Sequence, residues 1–267
     1  MRHNFPFFQV DNTSSFEKYD ATHMFTLLLI AIAAISIVVF KNRITHKADK
    51  IIRGTTTALA IVLEISFYVW AHVCSRKFLA SLFSLDLCHI TAILALFLNL
   101  SSLLGRKIET CKKIFPFLYF WSEGAIAALL FPNIRYGVGS FRFYNFFYIH
   151  AYIALTAIYG LVMDNYKINF KSYLRALGTL VGFAPFVWVV NLISGENYMF
   201  LAGAADVETP LDGLGEGAIY YLNFFLLTAF CMFLLVFPHE LKNLRDKRKL
   251  AKIISIAEAD WNYYCEE

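Results

Sequence analysis

Cys88 and His150 are the two side chains of this chain whose chemistry points to a nucleophile and its base. A thiolate attacks a carbonyl carbon, and a neutral imidazole within reach accepts the thiol proton as the attack proceeds. On a helix, His89 points about 100° away from Cys88 and Asp86 about 160° away, so a base must come from another segment. Two alternatives remain open, because a lone Cys is often a small core residue and a buried His is often a helix–helix contact.

The composition places these residues in a membrane protein. Of the 267 residues, 58% are hydrophobic and 16% are charged, and the mean hydropathy is +0.55. A soluble domain carries about 25% charged residues. The composition therefore excludes a soluble globular protein, a disordered chain, a collagen-like fibre and a disulfide scaffold.

Seven apolar stretches are long enough to cross a bilayer, which requires about 20 mostly apolar residues. The first stretch is too long for the core of a signal peptide, and we interpret it as a retained helix. The predicted fold class is an all-α membrane protein, a compact bundle of seven transmembrane helices. The predicted spans are 22–41, 55–75, 79–103, 113–132, 143–163, 174–194 and 218–238.

Lysine and arginine predict the orientation of this bundle. Eighteen of the 24 basic residues lie on one side of the predicted spans and six on the other. Basic loops stay in the cytoplasm, so the amino terminus is predicted outside and the carboxyl terminus inside. This gives an extracytoplasmic segment (1–21), a transmembrane domain (22–238) and a cytoplasmic tail (239–267). The predicted location is the cell (cytoplasmic) membrane.

Costly polar groups concentrate in the outer half of the predicted bundle. From the span boundaries and a helical rise of ~1.5 Å per residue, Cys88 lies roughly 14 Å and His150 roughly 11 Å below the outer surface. Polar groups in lipid are functional candidates by default, so we infer a cavity open to the outer leaflet. The polar groups within the spans are Glu64, His72, Asp86, Cys88, His89, Asn99, Glu123, Asn145, His150, Asn191 and Asn223.

Other classes of site find no support in the sequence. The five cysteines show no CxxC or metal-ligand spacing, and no nucleotide-binding, serine-hydrolase or zinc-protease motif stands in a credible context. The basic residues are accounted for by membrane topology, so no nucleic-acid partner is predicted. We expect no metal and no organic cofactor, and the sequence leaves the oligomeric state open.

Four segments together resemble a known family of membrane proteins. They read SLDLCH at 84–89, WSEG at 121–124 with LFP at 130–132, FFYIHA at 146–151, and GENYMFL at 195–201 with PLDGLG at 210–215 after Asn191. Their order and spacing are similar to those of the bacterial YwaF family of integral membrane proteins. That family includes the eukaryotic transmembrane acyltransferase of ether-phospholipid (plasmalogen) metabolism. The resemblance spans residues 20–240.

The resemblance implies a bundle of about seven helices and an acyl-transfer activity. Cys88 corresponds to the family's acyl-carrying cysteine and His150 to its general base, which implies membrane phospholipids and lysophospholipids as partners. Where the family pattern often has a His two residues before the cysteine, this chain has Asp86. The remaining candidates are predicted to support the reaction or to line the substrate site. Some lie at the predicted headgroup entrance or in the polar layer, and others are possible hydrogen-bond donors to the oxyanion. They are His23, Glu64, Asp86, Glu123, Asn145, Asn191, Asn197 and Tyr198.

Three alternatives to acyl transfer stay open. A more distant likeness to membrane lipid hydrolases that use a Thr and a His keeps acyl hydrolysis possible. Glu64, Asp86 and Glu123 also fit a proton-coupled transporter, although the sequence shows no internal repeat or broken helix. The third alternative is a sensor or a structural partner without chemistry.

Overall fold

Seven α-helices make up the described part of the chain. The computed structural model describes residues 6–8, 15–75, 84–105, 109–204 and 209–265. Within these ranges no β-strand forms, and an isolated bridge pairs Ser15 with Tyr136. The helices are α1 (Ala21–Phe40), α2 (His46–Trp70), α3 (Leu87–Leu103), α4 (Glu109–Leu130), α5 (Phe141–Val162), α6 (Phe170–Ser194) and α7 (Gly217–Cys265).

Six of these helices are long and apolar enough to cross a membrane, and α3 is a shorter apolar helix of 17 residues. Two of them begin elsewhere than the sequence predicted. Helix α2 begins at His46 rather than at 55, because the Thr45 side chain caps it by accepting a hydrogen bond from the Ala48 N–H. Helix α3 begins at Leu87, after non-helical residues 84–86. The predicted start of that span, 79–83, lies outside the described residues.

Helices α4 and α5 form the centre of the bundle. Half of the apolar stretch of α4 and 61% of that of α5 are buried, against 6% for α1. Phe115 of α4 packs against Gly160 of α5, where a Cβ atom would collide with the ring. Helix α1 is apolar on all sides and largely exposed, as expected of a helix that faces lipid.

The bundle has two ends, which differ in the helices that begin and finish there. The Cys88 end is where α3 and α5 begin and α2 and α4 finish; the Arg53 end is where α2 begins and α5 finishes. Helix α7 starts at the Cys88 end and runs for 49 residues, with Pro238 inside it. Near Pro238, the Tyr119 hydroxyl of α4 donates to the Leu235 carbonyl over 3.1 Å.

A buried polar network joins three helices at the Arg53 end. Arg53 of α2 is 4% exposed, and its guanidinium donates to Asp49, to Asn99 of α3 and to Asp164 after α5, over 2.9–3.1 Å. The guanidinium also lies over the Tyr159 ring, 4.5 Å from its centroid. This ion network fixes α2 against α3 and α5.

The same network continues through neutral side chains. The Asn99 amide donates to the Tyr152 hydroxyl (3.0 Å) and to the Thr156 hydroxyl (3.1 Å) of α5. The Tyr152 hydroxyl shares a further hydrogen bond of 3.1 Å with Thr57 of α2. We call the set Asp49, Arg53, Thr57, Asn99, Tyr152, Thr156 and Asp164 the Arg53 network.

Candidate functional site

Cys88 lies in the first turn of α3. The Ile90 N–H is the first in the helix to donate back, to the Asp86 carbonyl, so the N–H groups of residues 87–89 precede the intrahelical ladder. The amino end of a helix carries partial positive charge, which favours a thiolate or an oxyanion nearby. The sequence had put Cys88 deeper in a longer helix; the described helix brings it to the helix terminus.

Gly124 of α4 packs beside the Cys88 sulfur. A Cβ atom at this position would lie 3.6 Å from Cys88 Sγ and 3.5 Å from Leu87 Cδ2. Both are ordinary van der Waals distances, and they place the backbone of α4 beside the thiol. Cys88 itself is partly buried against the main hydrophobic core.

An apolar cavity of about 170 Å³ opens between α3, α4 and α6, and Leu87, the residue before Cys88, lines it. Leu87 and Ile90 flank the cysteine in sequence and line this cavity, and Met199 reaches it from the connection between α6 and α7. The other side chains around it include Trp121, Thr179 and Phe183. A cavity with this lining accepts a hydrocarbon chain rather than a polar solute.

His150 of α5 presents one free ring nitrogen. Its Nδ1 donates to the Phe146 carbonyl over 2.7 Å, since a carbonyl can only accept, and this leaves Nε2 with a lone pair. No hydrogen bond joins this imidazole to the Cys88 thiol, although α3 and α5 are held together through Asn99 and Tyr152. The imidazole is thus in the tautomer that a base requires, and its pairing with the thiol stays a prediction.

A second histidine belongs to a constellation that the sequence did not predict. His89 Nε2 shares a hydrogen bond of 3.0 Å with the Tyr68 hydroxyl of α2, and His89 Nδ1 lies 4.0 Å from Glu64 Oε2. Glu64 and Tyr68 are four residues apart, so they share one face of α2. This spacing was visible in the sequence, but nothing there indicated that His89 faces them.

Glu64 and Glu123 each have a buried carboxyl oxygen that forms no hydrogen bond. Oε2 of each carboxyl group is buried and accepts no hydrogen bond in the described part of the chain. Glu123 precedes Gly124 on α4 and is close enough to Tyr173 and Cys231 to interact with them electrostatically. Buried polar atoms are rarely left unpaired, so each of these atoms requires an explanation.

The segment that follows α6 is held over the start of α3 by side chains that the sequence had proposed for the site. Asn191 accepts from the Tyr198 N–H and donates to the Tyr198 carbonyl, both over 3.0 Å. The Asp86 carboxylate accepts from the Met199 N–H over 3.1 Å. Met199 and Phe200 have φ angles of 56° and 55°, which are costly for residues with a Cβ, so these contacts hold a strained segment in place.

Asn197 and Asn145, which were also predicted as oxyanion donors, form hydrogen bonds with backbone groups. Asn197 accepts from the Ala202 N–H (2.8 Å) and donates to the Gly203 carbonyl (3.0 Å) within its own loop, and the Asn145 amide donates to the Leu63 carbonyl over 3.3 Å. The N–H groups at the start of α3 are the donors nearest in sequence to the thiol.

His23 contributes to packing at the Cys88 end. It is 0% exposed, and both ring nitrogens are used: Nδ1 accepts from the Tyr19 N–H over 3.0 Å and Nε2 donates to the Leu129 carbonyl over 2.9 Å. It therefore fastens the start of α1 to the end of α4 and does not line an entrance for headgroups.

Arg142, counted in the sequence only as a topology cation, is partly buried at the start of α5. Its guanidinium lies 4.3 Å from the Phe67 ring centroid and 5.2 Å from that of Trp70, and Nη1 donates to Asn145 Oδ1 over 2.8 Å. Within the described residues, no cluster of three or more His, Cys, Asp or Glu side chains is arranged to hold a metal ion.

A model of the TMEM164 family matches residues 18–236, most of the chain. No curated protein and no solved structure matches it. The family match includes all the site residues described above.

Proposed function

Because the chain belongs to the TMEM164 family and is a multi-pass integral membrane protein, we propose that it transfers acyl groups between phospholipids through a Cys88 thioester. The observation that carries this proposal is the position of Cys88 at the amino end of α3, where its sequence neighbours Leu87 and Ile90 line an apolar cavity. A nucleophile at a helix terminus next to a hydrocarbon-sized cavity suits an ester whose acyl chain enters the cavity.

The membrane setting completes the proposal. We infer that α3, with the residues before it, forms the seventh span, that the amino terminus is outside, and that the protein lies in the cell membrane. The Cys88 end then faces the outer leaflet and the basic end of α7 faces the cytoplasm. This agrees with the distribution of lysine and arginine along the chain.

In the first half-reaction, the Cys88 sulfur attacks the ester carbonyl carbon of a phospholipid. The thiol proton passes to His150 Nε2, directly or through one water molecule, and a carbon–sulfur bond forms. The N–H groups at the start of α3 stabilise the oxyanion. The ester carbon–oxygen bond then breaks, and the departing lysophospholipid oxygen takes the proton from His150.

In the second half-reaction, the hydroxyl group of another lysophospholipid gives its proton to His150 Nε2 and attacks the thioester carbonyl carbon. The carbon–sulfur bond breaks, and the proton returns to the thiolate. A new phospholipid leaves and the enzyme is restored. If water took the place of the lysophospholipid, the product would be a free fatty acid, which is the hydrolase alternative.

The test is to trap the thioester. Purified protein is incubated with a phospholipid that carries a radiolabelled acyl chain, and the denatured protein is treated with hydroxylamine. We expect label on the wild-type protein that hydroxylamine removes. Cys88→Ala should carry none, and His150→Ala should transfer acyl groups at least about 100-fold more slowly, the usual contribution of a general base.

Cys111 provides the matched control, because it is a buried free cysteine near the start of α4, and it is the end of α4 that lies at the Cys88 end. Cys111→Ala should keep both the label and the transfer rate. Full acyl transfer by Cys88→Ala, or label that survives in that variant, would refute the thioester. Release of free fatty acid instead of phospholipid would assign hydrolysis to the same site.

A further inference from the structure

Arg142 has an environment that differs from that of an arginine paired for structural purposes. Its guanidinium stacks on Phe67 and Trp70 and donates one hydrogen bond, to Asn145. Asn145 is in turn anchored to the Leu63 carbonyl. A guanidinium has five N–H donors, so most of them stay available while the group itself is held in a fixed orientation.

Among the described residues, no carboxylate forms an ion pair with Arg142. Glu64 is close enough to interact with it electrostatically, but the two side chains form no ion pair within 4.0 Å in the described residues. Arg53 shows the contrast, because two carboxylates hold its guanidinium. A partly buried cation without a partner costs free energy, so the position favours an anion supplied from outside the protein.

The location of Arg142 connects it to the proposed reaction. Arg142 lies against Phe67 and Trp70 of α2, and Tyr68 of the same helix bonds through its hydroxyl to His89, the residue after Cys88. Arg142 is the second residue of α5, so it lies at the Cys88 end, where the headgroup of a lipid with its ester near Cys88 would be. Guanidinium groups bind phosphates through paired hydrogen bonds.

We propose that Arg142 binds the phosphodiester of the lipid substrate and makes the site select phospholipids over neutral glycerolipids. This inference rests on the proposed acyl transfer, since it names what holds the substrate. The acyl chain occupies the cavity beside Leu87 and Ile90, and the phosphate lies against Arg142 with its stacking rings behind it. The ester between them is then presented to Cys88.

The experiment measures binding without chemistry. Each variant is made in a Cys88→Ala background and purified in detergent, and a labelled lysophosphatidylcholine is displaced by unlabelled lipid. To the Cys88→Ala protein without a second substitution, lysophosphatidylcholine should bind at least about tenfold more tightly than a monoacylglycerol with the same acyl chain. Arg142→Gln should weaken lysophosphatidylcholine about 10- to 100-fold, the range for a charge-assisted hydrogen bond, and leave the monoacylglycerol unchanged.

Three comparisons make the result specific. Arg135→Gln removes the same charge from an exposed position at the same end and should change neither affinity. Arg142→Lys keeps the charge but loses the paired geometry, so its affinity for lysophosphatidylcholine should fall between those of arginine and glutamine. Inorganic phosphate at equal concentration should displace no lipid, because it has no chain for the cavity.

Several outcomes would overturn the assignment. Equal affinity of the Cys88→Ala protein, with Arg142 intact, for the two lipids would overturn it. This outcome can be measured even if Arg142→Gln fails to fold. Equal weakening of both lipids by Arg142→Gln would assign the residue to packing, and displacement by inorganic phosphate would exclude a lipid-specific site. The thioester assay tests the acyl transfer separately from lipid binding. If the wild-type protein took up no radiolabel, the acyl transfer would be refuted, and the binding result could still be interpreted.

Discussion

The Arg53 network and the Cys88 end treat buried polar groups in opposite ways. At the Arg53 end, the guanidinium donates to two carboxylates and an amide, and the amide donates to two hydroxyl groups. At the Cys88 end, within the described residues, Glu64 and Glu123 each have a buried oxygen without a hydrogen bond, and Arg142 forms no ion pair with a carboxylate. Unpaired buried groups cost free energy. The comparison therefore indicates a structural role for the first region and supports the ligand-binding role that we propose for the second.

Breaking the Arg53 network should give the largest loss of stability. Arg53→Met removes the cation and leaves Asp49 and Asp164 without it. We expect the free energy of unfolding to fall by about 3–5 kcal/mol, the range for removing one partner of a buried ion pair. Unfolding by a denaturing detergent, followed by circular dichroism, measures it.

Arg175 serves as the control for this change, because it is an exposed arginine on α6. Arg175→Met should alter the free energy of unfolding by no more than about 0.5 kcal/mol. A similar fall in the free energy of unfolding for Arg53→Met and Arg175→Met would show that Arg53 contributes no more than an exposed positive charge does.

Releasing the strained segment at the Cys88 end should have an intermediate effect. Asn191→Ala removes both hydrogen bonds between this buried side chain and the Tyr198 backbone, and the Tyr198 carbonyl keeps only its bond from the Leu201 N–H among those described. We expect a loss of about 2 kcal/mol in the free energy of unfolding, measured as above. Asn133→Ala, at an exposed position, is the control and should be neutral. An unchanged stability in Asn191→Ala would mean that Asp86 alone holds the segment.

The unpaired carboxyl groups should give the smallest effect. Glu64→Gln and Glu123→Gln remove no hydrogen bond to the buried oxygens, so we expect the free energy of unfolding to stay within about 1 kcal/mol of the wild type. Asp49→Asn is the matched substitution inside the Arg53 network and should be clearly more destabilising. Equal losses in all three variants would remove the distinction between the two regions. The transporter alternative requires that Glu123→Gln abolish substrate uptake while Cys88→Ala retains it.

The sequence predicted the helices well where apolar length decides the structure. The predicted spans 22–41, 143–163 and 174–194 match α1, α5 and α6 to within a few residues. The start of α3 was missed because apolar residues continue upstream of the helix, and length alone does not reveal a terminus. Ser84 and Asp86 were the available signal, since Asp is favoured at the residue before a helix.

The site was predicted less completely, because residue type does not reveal a partner. Arg53 and Arg142 were counted as topology cations, yet each lies within a helix and contacts side chains distant in sequence. Asn191 and Asn197 were proposed as oxyanion donors, but their amides bond to nearby backbone groups. Tyr68 gained its role only through His89, and contacts between helices are not visible in a single sequence.

The length of α7 gives the chain a mechanical property. About 20 residues suffice to cross the hydrocarbon, and the 28 residues from Pro238 to Cys265 extend the helix by about 42 Å at 1.5 Å per residue. Proline removes one backbone hydrogen bond at that position, so bending concentrates there. A tilt of about 10° at Pro238 would swing the far tip by about 7 Å on that lever arm. Small rearrangements around Tyr119 would therefore be magnified at the carboxyl terminus, where a fluorescent probe would report them.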